Sequence, residues 1–358
     1  MLRSKPEHSY TFNGRARQSV VRPFLLLLPF LCLAQTPTIG IVEIYGVRKI
    51  SPAEIRKVAG VAPGAKLPSS KYMVEERLQE IDGVEVASLE GACCDNGKVI
   101  LYIGVQESGS PPINLREHPS ESPDFPEPVQ TAYSLFLEQV REAGRSGGGT
   151  EDLSQGHSLF SSPTARAAQL AFIPLAAEYA GQLRDVLRRS ADMDHRAMAA
   201  YVLGYHPDKK SVLEDLAFAL SDPDPTVRGN AMRAIAAIAV YAESNAGTGI
   251  VINPGWFVDL VSSAVWTDRH TAAVTLVTLT QARKPEILSQ LQDRSLPALA
   301  EMARWRHLPH ALPAFILLGR IVGVKEAELQ AAWAKGEREP IIERAISLGK
   351  QPVRTDRP

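Results

Sequence analysis

A small α+β module of β-α-α-β-β order, followed by an all-α superhelical solenoid of helical hairpins, is the multidomain architecture this sequence predicts. Three observations carry it. Residues 211–240, SVLEDLAFALSDPDPTVRGNAMRAIAAIAV, read as two amphipathic helices folded back on each other around Asp222-Pro223-Asp224-Pro225. The spacing of Asp224 and Arg228 recurs 32 residues earlier as Asp192 and Arg196, the period of a stacked repeat. Residues 38–107 instead carry short apolar runs flanking Asp95-Asn96-Gly97, a strong hairpin signal.

Composition narrows the function. The chain has 358 residues with 39 basic and 40 acidic side chains, a formal charge of −1, so no global field attracts nucleic acid, which is not an expected partner. A 45% hydrophobic content with 6% aromatics suits helices packed through Ala, Leu and Val.

At the N-terminus a basic lead (Arg3, Lys5, Arg15, Arg17, Arg22) precedes an apolar run from Phe24 to Ala34 that Pro29 interrupts. The run is about half of the ~20 residues needed to span a bilayer, so residues 1–34 are expected to be a signal peptide cut after Ala34. A retained single anchor is the alternative. Bulky Phe30 and Leu31 before Cys32 argue against a lipoprotein cysteine. Cleavage removes five basic residues and one acidic residue, taking the charge from −1 to about −5.

Residues 38–46 alternate as a strand, with Val42 and Ile44 on one face and Glu43 and Tyr45 on the other. Ser51-Pro52-Ala53-Glu54 has the hydroxyl cap, helix-starting proline and acidic first turn of a short helix. A second helix is expected from about Ser70 to Asp82, with Met73, Val74, Arg77, Leu78 and Ile81 inward and Gly83 as its left-handed end. Strands over 84–92 and 98–106 complete the module, pairing Leu89 across from Ile103. This order, with Gly46, the Ser-Pro-x-Glu start, Pro63-Gly64, Gly83-Val84 and Val105-Gln106-Glu107, resembles a POTRA domain over 38–107. The resemblance implies a location outside the cytoplasmic membrane and the binding of other polypeptides, often as a strand added to a sheet edge. The usual outer-membrane barrel does not follow, and the later segments are helical.

Cys93 and Cys94 sit near the hairpin tip. Adjacent Cα atoms about 3.8 Å apart are closer than a disulfide usually allows, so the two are expected on opposite faces, Cys93 inward and Cys94 outward. A vicinal or intermolecular redox role is the alternative.

Residues 108–162, rich in Pro, Gly and Ser, read as a linker holding one helix from about Val129 to Ala143. Gly144-Arg-Ser-Gly-Gly148 matches the G-x-S-x-G nucleophile pattern, but it follows a helix instead of a strand and is read as linker.

From 163 to 350 the chain reads as helical hairpins, with a break expected near Pro174 and a tail at 351–358. In the 211–240 pair, Asp224 is the expected N-cap and Pro225 opens the second helix. Asp222-Pro223 and Val227-Arg228 resemble a HEAT repeat. That resemblance implies four or five stacked pairs, the others placed by spacing, presenting a concave surface to a protein partner. Asp192, Arg196, Asp222, Asp224 and Arg228 are expected to be structural ties that set repeat geometry, not a catalytic set.

Little else points to chemistry. His307 and His310 stand at a metal-like interval, yet Pro309 intervenes and no nearby carboxylate or cysteine completes a site. HEAT-like di-iron hydroxylases use His-Glu dipeptides, and this chain has none. Helical-repeat phycobilin lyases need an open cleft, which Trp256, Trp266, Trp305 and Trp333 could line, but tryptophans at helical positions are more often core. The sequence-level expectation is therefore a non-catalytic exported scaffold of the periplasm or cell envelope, without cofactor or metal, binding protein partners. An enzyme using the solenoid groove and a membrane-anchored division or secretion component are the alternatives. Membrane association would come through the leader, since no internal transmembrane segment is read.

Overall fold

The computed structural model describes residues 37–145 and 150–349. The expected leader at 1–34, the tail at 351–358 and part of the 144–148 match lie outside the described residues.

The first module runs β1 (Ile39–Tyr45), α1 (Pro52–Ala59), α2 (Lys71–Gln79), β2 (Val84–Asp95), β3 (Lys98–Glu107). β3 is the central strand, parallel to β1 and antiparallel to β2, and Leu89 does lie opposite Ile103. Ser51 caps α1 by accepting from the Glu54 amide at 3.1 Å, and Gly60, at φ 68°, ends it in the left-handed region. Ile39, Val42, Ile55, Val74, Leu78, Leu89, Leu101 and Ile103 form the module's own core between sheet and helices. Two expected inward residues of α2 differ. Met73 is 58% exposed, because only Val74 and Leu78, four apart, face the sheet. Arg77 reaches back to the carbonyls of Val58 and Ala59 at the end of α1, a favourable place for a cation.

The 108–162 segment is not a free spacer. Its first part is an extended strap along the repeats: Arg116 and Glu121 donate their amides to the carbonyls of Ser221 and Arg189, and Ala191 returns a bond to Glu121. Proline fixes such a backbone in an extended form without requiring it to be detached. α3 (Glu127–Arg145) buries Val129, Phe136 and Ala143 against the helices that follow. A two-stranded ribbon, β4 (Glu151–Asp152) with β5 (Leu159–Phe160), completes the segment.

The helical array opens with α4 (Pro163–Leu170) and α5 (Phe172–Glu178). The break expected near Pro174 falls at Ala171, so that Pro174 lies in the first turn of α5, where no amide is needed; a second break follows at Tyr179. Five hairpins follow. They are α6 (Ala180–Arg189) with α7 (Met193–Leu203), α8 (Lys209–Ala219) with α9 (Pro225–Ser244), and α10 (Gly255–Val258) plus a 3-10 turn with α11 (Trp266–Leu279). Next come α12 (Pro285–Arg294) and α13 (Leu296–Ala303) with α14 (Leu308–Ile321), then α15 (Glu326–Lys335) with α16 (Glu339–Gly349). The second helices pack in sequence, α7 on α9, α9 on α11, α11 on α14 and α14 on α16. That stepwise contact is the progression of a helical solenoid. Among the described residues no helix is long and apolar enough to cross a membrane.

Candidate binding groove and the ladder beside it

Arginines near the start of the second helices form a ladder along the interhelical turns. Arg196, fully buried, donates to Ser190 O at 2.8 Å in its own turn and grips Asp222 of the next repeat with Nε and Nη2, both at 2.9 Å. Arg228 repeats this, bonding Asp222 O and Pro223 O at 2.7 and 3.0 Å and Asp268 at 2.7 to 3.1 Å. Arg269 continues it with Ser263 O at 3.0 Å and Glu301 at 2.7 Å. Each arginine thus ties its own turn to an acid of the following repeat. Burial pushes the Asp268 carboxyl above its ordinary value while Arg228 pulls it back, so this rung stands at a desolvation cost. Asp192 and Asp224 lie outside the rungs. They cap α7 and α9, accepting from the amides of Asp194 and His195 and of Thr226 and Val227.

The ladder's outer side receives the N-terminal residues. Arg116 of the strap joins Arg196 on Asp222. The second face of the sheet, with Tyr45, Ile100 and Tyr102, is buried in the same core as the repeats. Tyr45 donates to Ala264 O at 2.8 Å and lies 4.3 Å below the Arg269 guanidinium. Tyr102 stacks on Trp266, centroids 4.8 Å apart, and tilts against Trp305 at 5.0 Å. Gly104 presses against Ala264 O so closely that any side chain would collide with main chain.

This seating separates the two sheet edges. β1 is closed: Ile39 exchanges bonds with Ala65 and Gly64 at 2.8 and 2.7 Å, Arg306 binds Val42 O, and Gly46 N donates to Glu301 at 2.8 Å. β2 carries a lighter guard, Glu75 accepting from Leu89 N at 2.7 Å. By strand alternation the amides of Ala87 and Gly91 also face outward. Beside β2 lies a groove of about 520 Å³. Its floor is a stripe of α9 (Thr226, Gly229, Asn230, Arg233) and of α11 (Thr267, Thr271), and Lys71, Glu90 and Glu151 stand on its walls. Glu90 accepts from Thr267 N and Oγ1 at 3.0 and 2.6 Å, and burial raises its pKa against those bonds. Arg233 pairs with Glu151, and burial lowers its pKa to about 10; its Nε is buried with no hydrogen-bond partner. Sequence reasoning missed Lys71, Glu90, Arg233 and Thr267, because no local pattern links residues so far apart in the chain.

Other reactive groups are enclosed. Lys209, lowered to about 8 by burial, donates to Gly204 O at 3.0 Å and lies 3.2 Å from His157 Nδ1. The adjoining cavity of about 10 Å³ has no room for a substrate. The cysteines depart from expectation. Both Cys93 and Cys94 are exposed and joined in a vicinal disulfide, and the peptide between them is cis. The pairing of β2 with β3 slips between Ala92 and Asp95, so strict alternation does not carry Cys93 inward. His270 joins His307 and His310, which the sequence had paired without it. Among the described residues no group of three His, Cys, Asp or Glu is placed to hold a metal ion.

Residues 181–246 match the family described as HEAT repeats, a span that takes in α6 to α9. No curated protein matches the chain.

Proposed function

We propose that this chain is a non-catalytic scaffold, exported to the cell envelope, that holds an extended segment of a protein partner in the groove between β2 and the α9–α11 floor. The carrying observation is the asymmetry of the sheet. One edge is closed by the chain's own groups, while the other borders a 520 Å³ groove with polar walls. A strand added at β2 would satisfy outward main-chain groups, and side chains projecting toward the solenoid would meet Asn230, Thr271 and Arg233. The perturbed groups in the groove, Glu90 and Arg233, are engaged by Thr267 and Glu151, which suits recognition more than acid–base work. The HEAT-repeat match and the POTRA resemblance support a protein partner, and the leader's composition supports export.

Photo-crosslinking in intact cells tests the site. A photoreactive residue at Thr226 or Thr271 should give a discrete adduct that Ala236→Trp, which fills the groove, abolishes, whereas the same probe at Glu214 should give none. Equal labelling from all three positions would refute the groove. For location, a mature N-terminus at Gln35 in the envelope fraction is the expected result, and an intact leader on cytosolic protein would overturn it.

A further inference from the structure

Where the sheet meets the repeats, three imidazoles gather: His270 on α11, His307 at the start of α14 and His310 within it. His310 lies 4.8 Å from His270 and 4.1 Å from His307, centroid to centroid. The Tyr102 hydroxyl of β3 is 2.6 Å from His310 Nδ1, and the Nδ1 atoms of His270 and His307 are buried with no hydrogen-bond partner. Trp266 stacks on both Tyr102 and His270, so sheet, indole and imidazole form one continuous stack.

The charges facing the cluster are already committed. From β1, Glu43 accepts from Arg306 N and Nε at 2.8 and 3.2 Å, and Tyr45 bonds Ala264. From β2, Glu90 is held by Thr267; on α11, Asp268 is held by Arg228 and Arg269 by Glu301. Among the described residues no carboxylate pairs with any of the three rings. An imidazolium formed here would be a buried cation without a counter-ion, beside two other imidazoles.

We propose that this cluster is an acid-sensitive latch: neutral, it seats the sheet on the first turns of α11 and α14, and protonated, it releases the sheet while the strap stays on the earlier hairpins. Release would carry β2 away from α11 and so dismantle the groove. The latch thus regulates the binding site proposed above, but its test reads the seam alone.

Burial lowers the His270 pKa to about 4 and that of His310 to about 3, with the neighbouring histidines adding to both shifts. The ordinary imidazole value lies near 6.5. Between that pH and about 4 the open form therefore takes up protons that the closed form refuses, and the closed form loses ground as pH falls. For His270 alone the closed-to-open ratio drops about 20-fold between pH 7 and pH 5. His310 acts in the same direction, its contribution reduced because the ring is only half buried and solvent screens its charge. The raised Glu90 acts oppositely, one carboxyl against two imidazoles.

The full chain would be titrated from pH 7.5 to 4.5. Three signals are followed: tryptophan emission, since Trp266 and Trp305 border the seam; hydrogen exchange at the Gly46, Thr267 and Arg306 amides, which bond carboxylates across the seam; and helical circular dichroism. The latch predicts red-shifted emission and deprotection of the Gly46, Thr267 and Arg306 amides with the helical signal unchanged, and His270→Gln/His310→Gln should stay closed at pH 4.5. A seam still closed at pH 4.5 in the wild type, loss of helix in the same transition, or opening of the double variant at the same pH would each overturn it. Should that variant fail to fold, imidazole proton resonances of the wild type decide. Two histidines titrating together with deprotection of the Gly46, Thr267 and Arg306 amides support the latch, and titration near 6.5 with the seam closed refutes it. A negative result leaves the groove reading standing, because no partner is present.

Discussion

Arg228→Met tests the ladder at a buried rung whose acid, Asp268, is gripped by a single arginine. The Arg228 and Asp268 side chains are 3% and 1% exposed, and methionine keeps the stem while removing every donor. Asp268 would retain only Ser263 Oγ at 2.9 Å among its side-chain partners here, and Asp222 O and Pro223 O would lose the donors at 2.7 and 3.0 Å. Stranding one member of a buried pair costs about 3–5 kcal/mol. With an unfolding entropy of about 2.1 cal/mol/K per residue over roughly 300 cooperating residues, 4 kcal/mol corresponds to a fall of about 6 °C in Tm. Asp268→Leu added to Arg228→Met removes the stranded charge, and the double variant should recover to within about 1 kcal/mol of the parent. Urea unfolding followed by helical circular dichroism measures all three proteins. If Arg228→Met costs less than about 1 kcal/mol, or the second substitution restores nothing, the rung does not hold the repeats as described.

Lys209→Met should raise stability at pH 7. Its folded pKa, about 8, lies below the unfolded 10.5, so the penalty is complete below 8 and fades as pH climbs to 10.5; lifting it less the lost Gly204 bond should gain about 1–2 kcal/mol in urea unfolding at pH 7, and a loss would refute this. Gly104→Ala forces a methyl into Ala264 O and should deprotect the Gly46 and Thr267 amides, whose acceptors lie across the seam, in hydrogen exchange at neutral pH; unchanged protection would show that the seam is not tight. Glu75→Ala removes the carboxylate from Leu89 N and should produce concentration-dependent self-association through β2 in sedimentation, with unchanged sedimentation counting against an open edge.

What the sequence disclosed was local. The proline pair at 223 and 225, the caps Ser51 and Asp224, and the turn glycines act within a few residues, so helices and turns could be read directly. The arginines were legible as ties, but their far partners were not: Asp268 lies 40 residues beyond Arg228 and Glu301 32 beyond Arg269. The seam left even less trace. Tyr45 and Tyr102 occupy outward positions of strands, where tyrosine suits a wet face as well as a dry one, and nothing in their spacing pairs them with Trp266 or Trp305. The docking of the strap is hidden for a related reason: proline content reports a stiff extended backbone and is silent on whether that backbone lies against something. His270 escaped because its companions are more than 30 residues away.

The same acids serve two purposes, and this binds the halves of the chain into one device. Asp222 receives Arg196 from the stack and Arg116 from the strap; Glu301 receives Arg269 from the stack and the Gly46 amide from the module. A change in the pitch of the repeats would therefore move the seats of strap and sheet together. Conversely, lifting the sheet strips Arg269 of the Tyr45 ring and Glu301 of an amide, so the third and fourth hairpins should loosen at their turns while the strap still braces the first two. The groove lies across that division, with α9 on the braced side and α11 on the side the sheet controls. If the sheet lifts as proposed, the groove's width changes with it, which is how the latch would act on the proposed binding site.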